Sequence, residues 1–161
     1  MAALGREARV PGRIYLVGGA SAVLTGWRAT TLDVDLKLMP EDDRLLRAIQ
    51  RLKEELQINV ELASPDDFIP ALPGWEERSP HIATEGNIAF HHYDFYAQAL
   101  AKIERGHTQD ALDVREMFKR NLIEPKRLFD FYETIELELY RYPSLDPGVF
   151  RKAVEEAIKI L

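Results

Sequence analysis

Along the chain, apolar and polar positions change their period several times, and each change marks an element. Arg13 to Val17 is a short apolar, β-favouring run that ends in Gly18-Gly19, as expected of a buried strand entering a tight turn. Ala20 to Gly26 follows, contains Ala and Leu, and suits a short helix closed by Gly26. From Leu32 to Leu38 the alternation is strict, with Leu32, Val34, Leu36 and Leu38 on one face and Asp33, Asp35 and Lys37 on the other. Pro40 opens a helix with Glu41, Asp42 and Asp43 in its first turn and an apolar stripe of Leu45, Leu46, Ile49, Leu52 and Leu56. Ile58 to Leu62 alternates again, leaving Asn59 and Glu61 opposite Ile58, Val60 and Leu62. Ser64-Pro65-Asp66-Asp67 has the order of a helix cap, and a helical turn and a Pro/Gly loop over 70–74 follow. Residues 81–90 read as a hairpin around Glu85-Gly86-Asn87.

After Tyr93 the period turns helical. Segments 94–105, 108–121, 125–141 and 147–160 are separated by Gly106, Pro125, Pro143 and Pro147, and Phe131, Ile135 and Leu139 form the stripe of the third. The pattern predicts an α+β fold of mixed α/β type, a mixed sheet flanked by helices with a helical C-terminal part. A single domain over 1–161 is expected, its sheet-containing core at about 1–93 and its helical part at about 94–161.

Composition narrows the setting. A chain of 161 residues, 46% hydrophobic, is long enough for one ordinary core. No apolar run approaches the roughly 18 residues a membrane span needs. The opening MAALGREARVPG carries charge and lacks the apolar centre of a secretory signal. With no cysteine, disulfides and thiolate-held zinc are excluded, and a cytoplasmic location without membrane attachment is expected. The net charge of -6 argues against general wrapping of nucleic acid but leaves room for a local basic patch.

The acidic strand is the unusual feature. Asp is disfavoured in strands, and Asp33 and Asp35 lie on one face at a Cα separation of roughly 6–7 Å. Two carboxylates about 4 Å apart repel by on the order of 4 kcal/mol at an effective dielectric near 20. A raised pKa, a Lys or Arg partner, or a divalent cation relieves that repulsion. Asp-x-Asp on a strand also occurs as plain solvation, here beside Lys37. Its company carries more weight: Gly18-Gly19 stands between a strand and a helix, where backbone N–H groups and the helix dipole favour phosphate, and Ser21 adds a hydroxyl.

Val17-Gly18-Gly19, thirteen intervening residues, and then Asp33-Val34-Asp35-Leu36 together resemble the DNA polymerase beta superfamily of nucleotidyltransferases. The stretch YLVGGASAVLTGWRATTLDVDL is similar to small bacterial and archaeal nucleotidyltransferases, several of them toxins of toxin–antitoxin or abortive-infection systems, with Arg28, Thr30 and Thr31 matching a segment before the acids. The strong likeness covers about residues 14–38. It implies a palm-like sheet, Mg²⁺ or Mn²⁺ held by Asp33 and Asp35, and a nucleoside triphosphate substrate bound by Gly18, Gly19, Ser21 and Arg28, with Thr31 in support. It implies a third carboxylate from a neighbouring strand, for which Glu61 is the candidate, with Asp66 and Asp67 as alternatives. Lys102 and Arg105, at i,i+3 on one helix, would grip triphosphate, and Asp110 and Asp113 on the next would orient them; a surface ion-pair lattice is the other reading of these four.

The implied activity is transfer of a nucleoside monophosphate to a hydroxyl acceptor: a tRNA, a protein or a small molecule such as an aminoglycoside. The toxin-like relatives imply an antitoxin protein as partner. The alternative is a catalytically inactive nucleotide-binding or protein-interaction module on the same fold. His81, His91, His92 and His107 lack metal-ligand spacing, and adjacent His91 and His92 point to opposite faces, so at most one serves a site. Trp27 and Trp75 suit packing more than base stacking. Neither G-x-S-x-G nor G-x-G-x-x-G occurs.

Overall fold

The computed structural model describes residues 1–159. They divide into two compact units, the first formed by 1–64 and 79–93, the second by 65–78 and the described residues from 94 onward. The last two residues, 160 and 161, including position 160 of the last expected helix, lie outside the described residues.

The first unit is an α+β layer. A helix α1 (Ala2–Glu7) precedes β1 (Gly12–Val17), α2 (Gly18–Thr25), β2 (Asp33–Met39), α3 (Asp43–Leu56) and β3 (Asn59–Leu62), and the hairpin β4 (His81–Glu85) and β5 (Ile88–His92) completes it. The sheet order is β3-β2-β1-β5-β4. β1 runs antiparallel to β2 and parallel to β5, β2 is parallel to β3, and β4 is antiparallel to β5, so the sheet is mixed.

One face of this sheet is a dry core. Ile14, Leu16, Leu36, Leu38, Val60, Ile88 and Phe90 pack there with Ala20 of α2 and Leu45 and Ile49 of α3. Three strand-stripe residues fall outside it: Leu32 precedes β2 and is exposed, Ile58 precedes β3 and is exposed, and Leu62 is half exposed on the edge strand β3. α2 starts at Gly18 rather than Ala20. α3 starts at Asp43 rather than Pro40, because the Asp42 carboxylate accepts from the N–H groups of Arg44 and Leu45 and caps the helix there. α1 is an added element. Its Gly5 is buried against the backbone of Glu85, which leaves no room for a Cβ.

The second unit is helical. It comprises a 3-10 turn (Pro65–Asp67), α4 (Trp75–Arg78), α5 (Phe95–Arg105), α6 (Thr108–Lys119), α7 (Pro125–Glu136), a 3-10 turn (Leu139–Arg141) and α8 (Pro147–Lys159). The long helix expected over 125–141 therefore ends at Glu136 and resumes as a single tight turn. Leu100, Met117, Leu128, Tyr132, Ile135, Phe150 and Val154 form its interior, with Tyr132 edge-on to Phe150. Asp94 caps α5 through the Tyr96 N–H and is bound by Arg78, whose guanidinium also lies 4.1 Å from the Phe131 ring centroid. Burial pushes the Asp94 carboxyl up, and Arg78 pulls in the opposite direction. Among the described residues no helix is long and apolar enough to cross a membrane.

Candidate active site

The acidic strand positions its side chains through the register of the sheet. β2 pairs Asp35 with Val17 of β1 on one side and with Glu61 of β3 on the other, and Asp33 with Asn59. Strand alternation puts Asp33, Asp35, Asn59 and Glu61 on the face away from the apolar core. The Asn59 amide donates to Asp33 at 2.8 Å and to Glu61 at 2.9 Å. Asp33 and Glu61 are exposed and, among the described residues, neither makes an ion pair. A neutral amide thus bridges two carboxylates that no cation neutralises.

At the end of β1 the chain turns directly into α2. Gly18 has φ +57°, a left-handed conformation that a side chain resists. A Cβ built on it would lie 3.2 Å from Asp35 Oδ2, so the Asp35 carboxylate stands beside this turn. A Cβ on Gly19 would come 2.2 Å from Thr31 Oγ1 and 3.4 Å from Arg28 Nη1. Thr31 in turn donates to the Asp33 carbonyl at 2.9 Å. The Gly-Gly pair therefore lets one acid, one guanidinium and one hydroxyl close over the start of α2. The N-cap residue is Val17, whose side chain makes no capping bond, and the first N–H groups of a helix have no partner within it.

Ser21 sits one turn deeper. It is fully buried, and its Oγ is 2.6 Å from His92 Nδ1 on β5. Burial lowers the His92 pKa, so the ring is neutral at pH 7. Thr25 Oγ1 donates to the Ser21 carbonyl at 2.6 Å. His91 points to the other face, where it lies against Tyr15 and His81 and meets the Ser79 carbonyl at 3.0 Å.

Gly18, Gly19, Ser21, Arg28, Thr31, Asp33, Asp35 and Glu61 all belong to the first unit. Lys102, Arg105, Asp110 and Asp113 belong to the second, where they meet one another. Lys102 Nζ donates to Asp110 at 3.0 Å and to Asp113 at 2.7 Å, and Arg105 grips Asp110 with two donors at 2.7 and 2.6 Å. Lys102, Asp110 and Asp113 are buried. For Asp110, burial pushes the carboxyl up, but the bonds from Arg105 and Lys102 outweigh it and hold the group below its ordinary range. Asp66 and Asp67 form part of the turn after Pro65, in the second unit, where the Asp66 carbonyl accepts from the Tyr142 hydroxyl at 2.9 Å.

Two participants carried little sequence signal. Asn59 was visible as a polar position on the acidic face, but only its register opposite Asp33 makes it a bridge. The partnership of Ser21 with His92 spans 71 positions, beyond any local pattern.

Two or fewer carboxylates suffice for Mg²⁺ when substrate phosphates supply the other ligands. The donor chemistry of Asp33 and Asp35 fits that requirement. Glu61, the candidate third carboxylate, is tied to Asn59, and among the described residues no group of three or more His, Asp or Glu forms a metal-holding cluster.

The chain is a member of the family described as a nucleotidyltransferase of unknown function (DUF6036), whose model matches residues 4–144. No curated protein and no solved structure matches it.

Proposed function

We propose that the protein is a metal-dependent nucleotidyltransferase that moves a nucleoside monophosphate from a nucleoside triphosphate to a hydroxyl acceptor. The observation that carries this reading is the place of the Asp35 carboxylate beside the Gly18 turn, which sets an acidic strand next to the start of a helix. Asp33 and Asp35 would hold Mg²⁺ or Mn²⁺, which supplies Lewis-acid charge to the phosphoryl oxygens when bound. The backbone of Gly18 and Gly19, at the start of α2, cradles the phosphates. Arg28, packed over Gly19, adds a fixed cation, and Thr31 holds the strand start in register through the Asp33 carbonyl.

Glu61 takes the proton of the acceptor hydroxyl. The new bond joins that oxygen to the α-phosphorus, the α–β bridge breaks, and pyrophosphate leaves with the electron pair. Ser21 and neutral His92 fix α2 against β5, which keeps the cradle rigid. Lys102 and Arg105 are given to Asp110 and Asp113, holding α5 on α6, so the positive charge on triphosphate comes from Arg28.

The test is transfer of label from α-labelled triphosphates to tRNA, protein and aminoglycoside acceptors with Mg²⁺ or Mn²⁺, together with calorimetric triphosphate binding. Transfer or binding that D33N/D35N abolishes is the expected result; neither binding nor transfer with any triphosphate overturns it. A second reading, an inactive nucleotide-binding or protein-interaction module, is favoured by one observation: Asn59 occupies both Asp33 and Glu61. It predicts triphosphate binding without transfer, unchanged in N59A. The toxin-like role, cytoplasmic and with an antitoxin partner, is tested by expressing the chain with and without the product of the adjacent gene and scoring growth.

A further inference from the structure

On the other side of the first unit, α1 and α3 enclose a polar cleft of about 370 Å³ lined by Arg6, Arg9, Arg44, Arg47 and Arg51, with Glu7. Five of the chain's 14 arginines thus meet in one place, in a protein of net charge -6. Arg44, Arg47 and Arg51 follow i, i+3, i+7 spacing and share a face of α3. All five are exposed. Glu7 is bonded to Arg51, which also meets Glu55 at 3.5 Å. Asp42 is engaged in capping α3, and Asp43, beside Arg44, is exposed. Among the described residues Arg6, Arg9, Arg44 and Arg47 make no ion pair, so like charges are held together without neutralisation.

We infer that this cleft binds the phosphodiester backbone of a nucleic acid. Four guanidiniums without an ion pair line one cleft and repel one another, a bound polyanion relieves that repulsion, and guanidinium is the side chain whose planar fork matches phosphate. Arg44 to Arg51 spans about 10 Å of helix, enough to meet several phosphates of a strand that rises about 3.4 Å per nucleotide. The cleft's place in the fold favours a long ligand. α3 starts beyond Met39, the end of β2 opposite Asp33, and six strand steps of about 3.3 Å put the two ends roughly 20 Å apart. α3 also covers the apolar face, whereas the acids occupy the other. A small acceptor cannot touch both places, but a polynucleotide can. Calling that polynucleotide the acceptor rests on the transferase reading; the binding itself does not.

The experiment titrates the full chain into a fluorescein-labelled 20-nucleotide RNA and a DNA of the same sequence, following anisotropy over a salt series. Four phosphate contacts predict a slope of log affinity against log salt of about -3 for single strands. R44E/R47E is expected to weaken binding at least tenfold and flatten the slope by about 1.5, and R6E/R9E, on a different segment, to do the same. K119E/R120E on α6 is expected to change nothing. Thermal melting checks that each variant folds, and calorimetric triphosphate binding by R44E/R47E stays as in the parent, which separates this site from the transferase reading. The tighter of RNA and DNA identifies the source. The inference is overturned if neither nucleic acid binds at 50 mM salt, if both charge-reversal pairs bind as the parent does, or if a Glu-rich peptide or phosphatidylserine vesicles compete better than unlabelled oligonucleotide.

Discussion

Two charged groups, the acids of β2 and β3 and the ion-pair cluster of α5 and α6, use the same residue types to opposite ends. In the second unit, Lys102 and Arg105 face Asp110 and Asp113, two cations on two carboxylates, and three of the four are buried. That group is closed: its charges cancel internally, and its hydrogen bonds hold two helices together. In the first unit, Asp33 and Glu61 are exposed, share the amide of Asn59 and, among the described residues, make no ion pair. That pair is open. Buried charge must be matched where it stands, whereas exposed charge can be left for a ligand to match. Matching, rather than residue type, separates a structural cluster from a candidate site.

The comparison breaks most sharply at Lys102. K102M leaves Asp110 and Asp113 buried without their shared cation and is expected to cost about 3–5 kcal/mol, read as a drop in urea midpoint; triphosphate binding below the transition stays intact. D33N/D35N should do the reverse. Transfer is expected to fall by about 10²–10³, with the urea midpoint unchanged or raised, because a repelling pair has been removed. A loss of stability in D33N/D35N equal to that of K102M would erase the distinction.

Intermediate effects come from the cradle. G19A places a methyl group against Thr31 and beside Arg28 and is expected to cost about 1–3 kcal/mol as overpacking, together with triphosphate affinity, measured by melting and calorimetry. The smallest effects are those of pH, and their signs follow from the direction of each shift. The Asp110 pKa is lowered, so its contribution is present above the unfolded value near 4 and is lost as pH falls through the folded pKa. The His92 pKa is also lowered; the unfolded ring takes up its proton first, so stability falls as pH drops below about 6.5. H92Q should flatten the melting profile between pH 5 and 7, and D110N the profile below pH 5.

Several elements could be read directly from the chain. Strict alternation over Leu32 to Leu38 announced β2 (Asp33–Met39) and assigned Asp33 and Asp35 to one face, because a strand has only two faces. Gly18-Gly19 marked the strand-to-helix turn, and Glu85-Gly86-Asn87 marked the hairpin. The α1 helix and the late start of α3 were less legible. α1 rests on Gly5 meeting Glu85, a contact across some 80 positions, and α3 on which of three adjacent acids turns back to cap it.

The sequence by itself determined the periodic elements, the mixed α+β class and the acidic strand beneath a glycine turn, because these depend on near neighbours and on the geometry of one strand or helix. Tertiary structure decided everything that depends on register or on distant segments. It set Asn59 between Asp33 and Glu61, Asp35 beside the Gly18 turn, and His92 on Ser21. It closed Lys102 onto two aspartates and gathered the arginines of α1 and α3 into one cleft. Local period tells which way a side chain faces; only packing brings two faces together, and charge acts over those few ångströms.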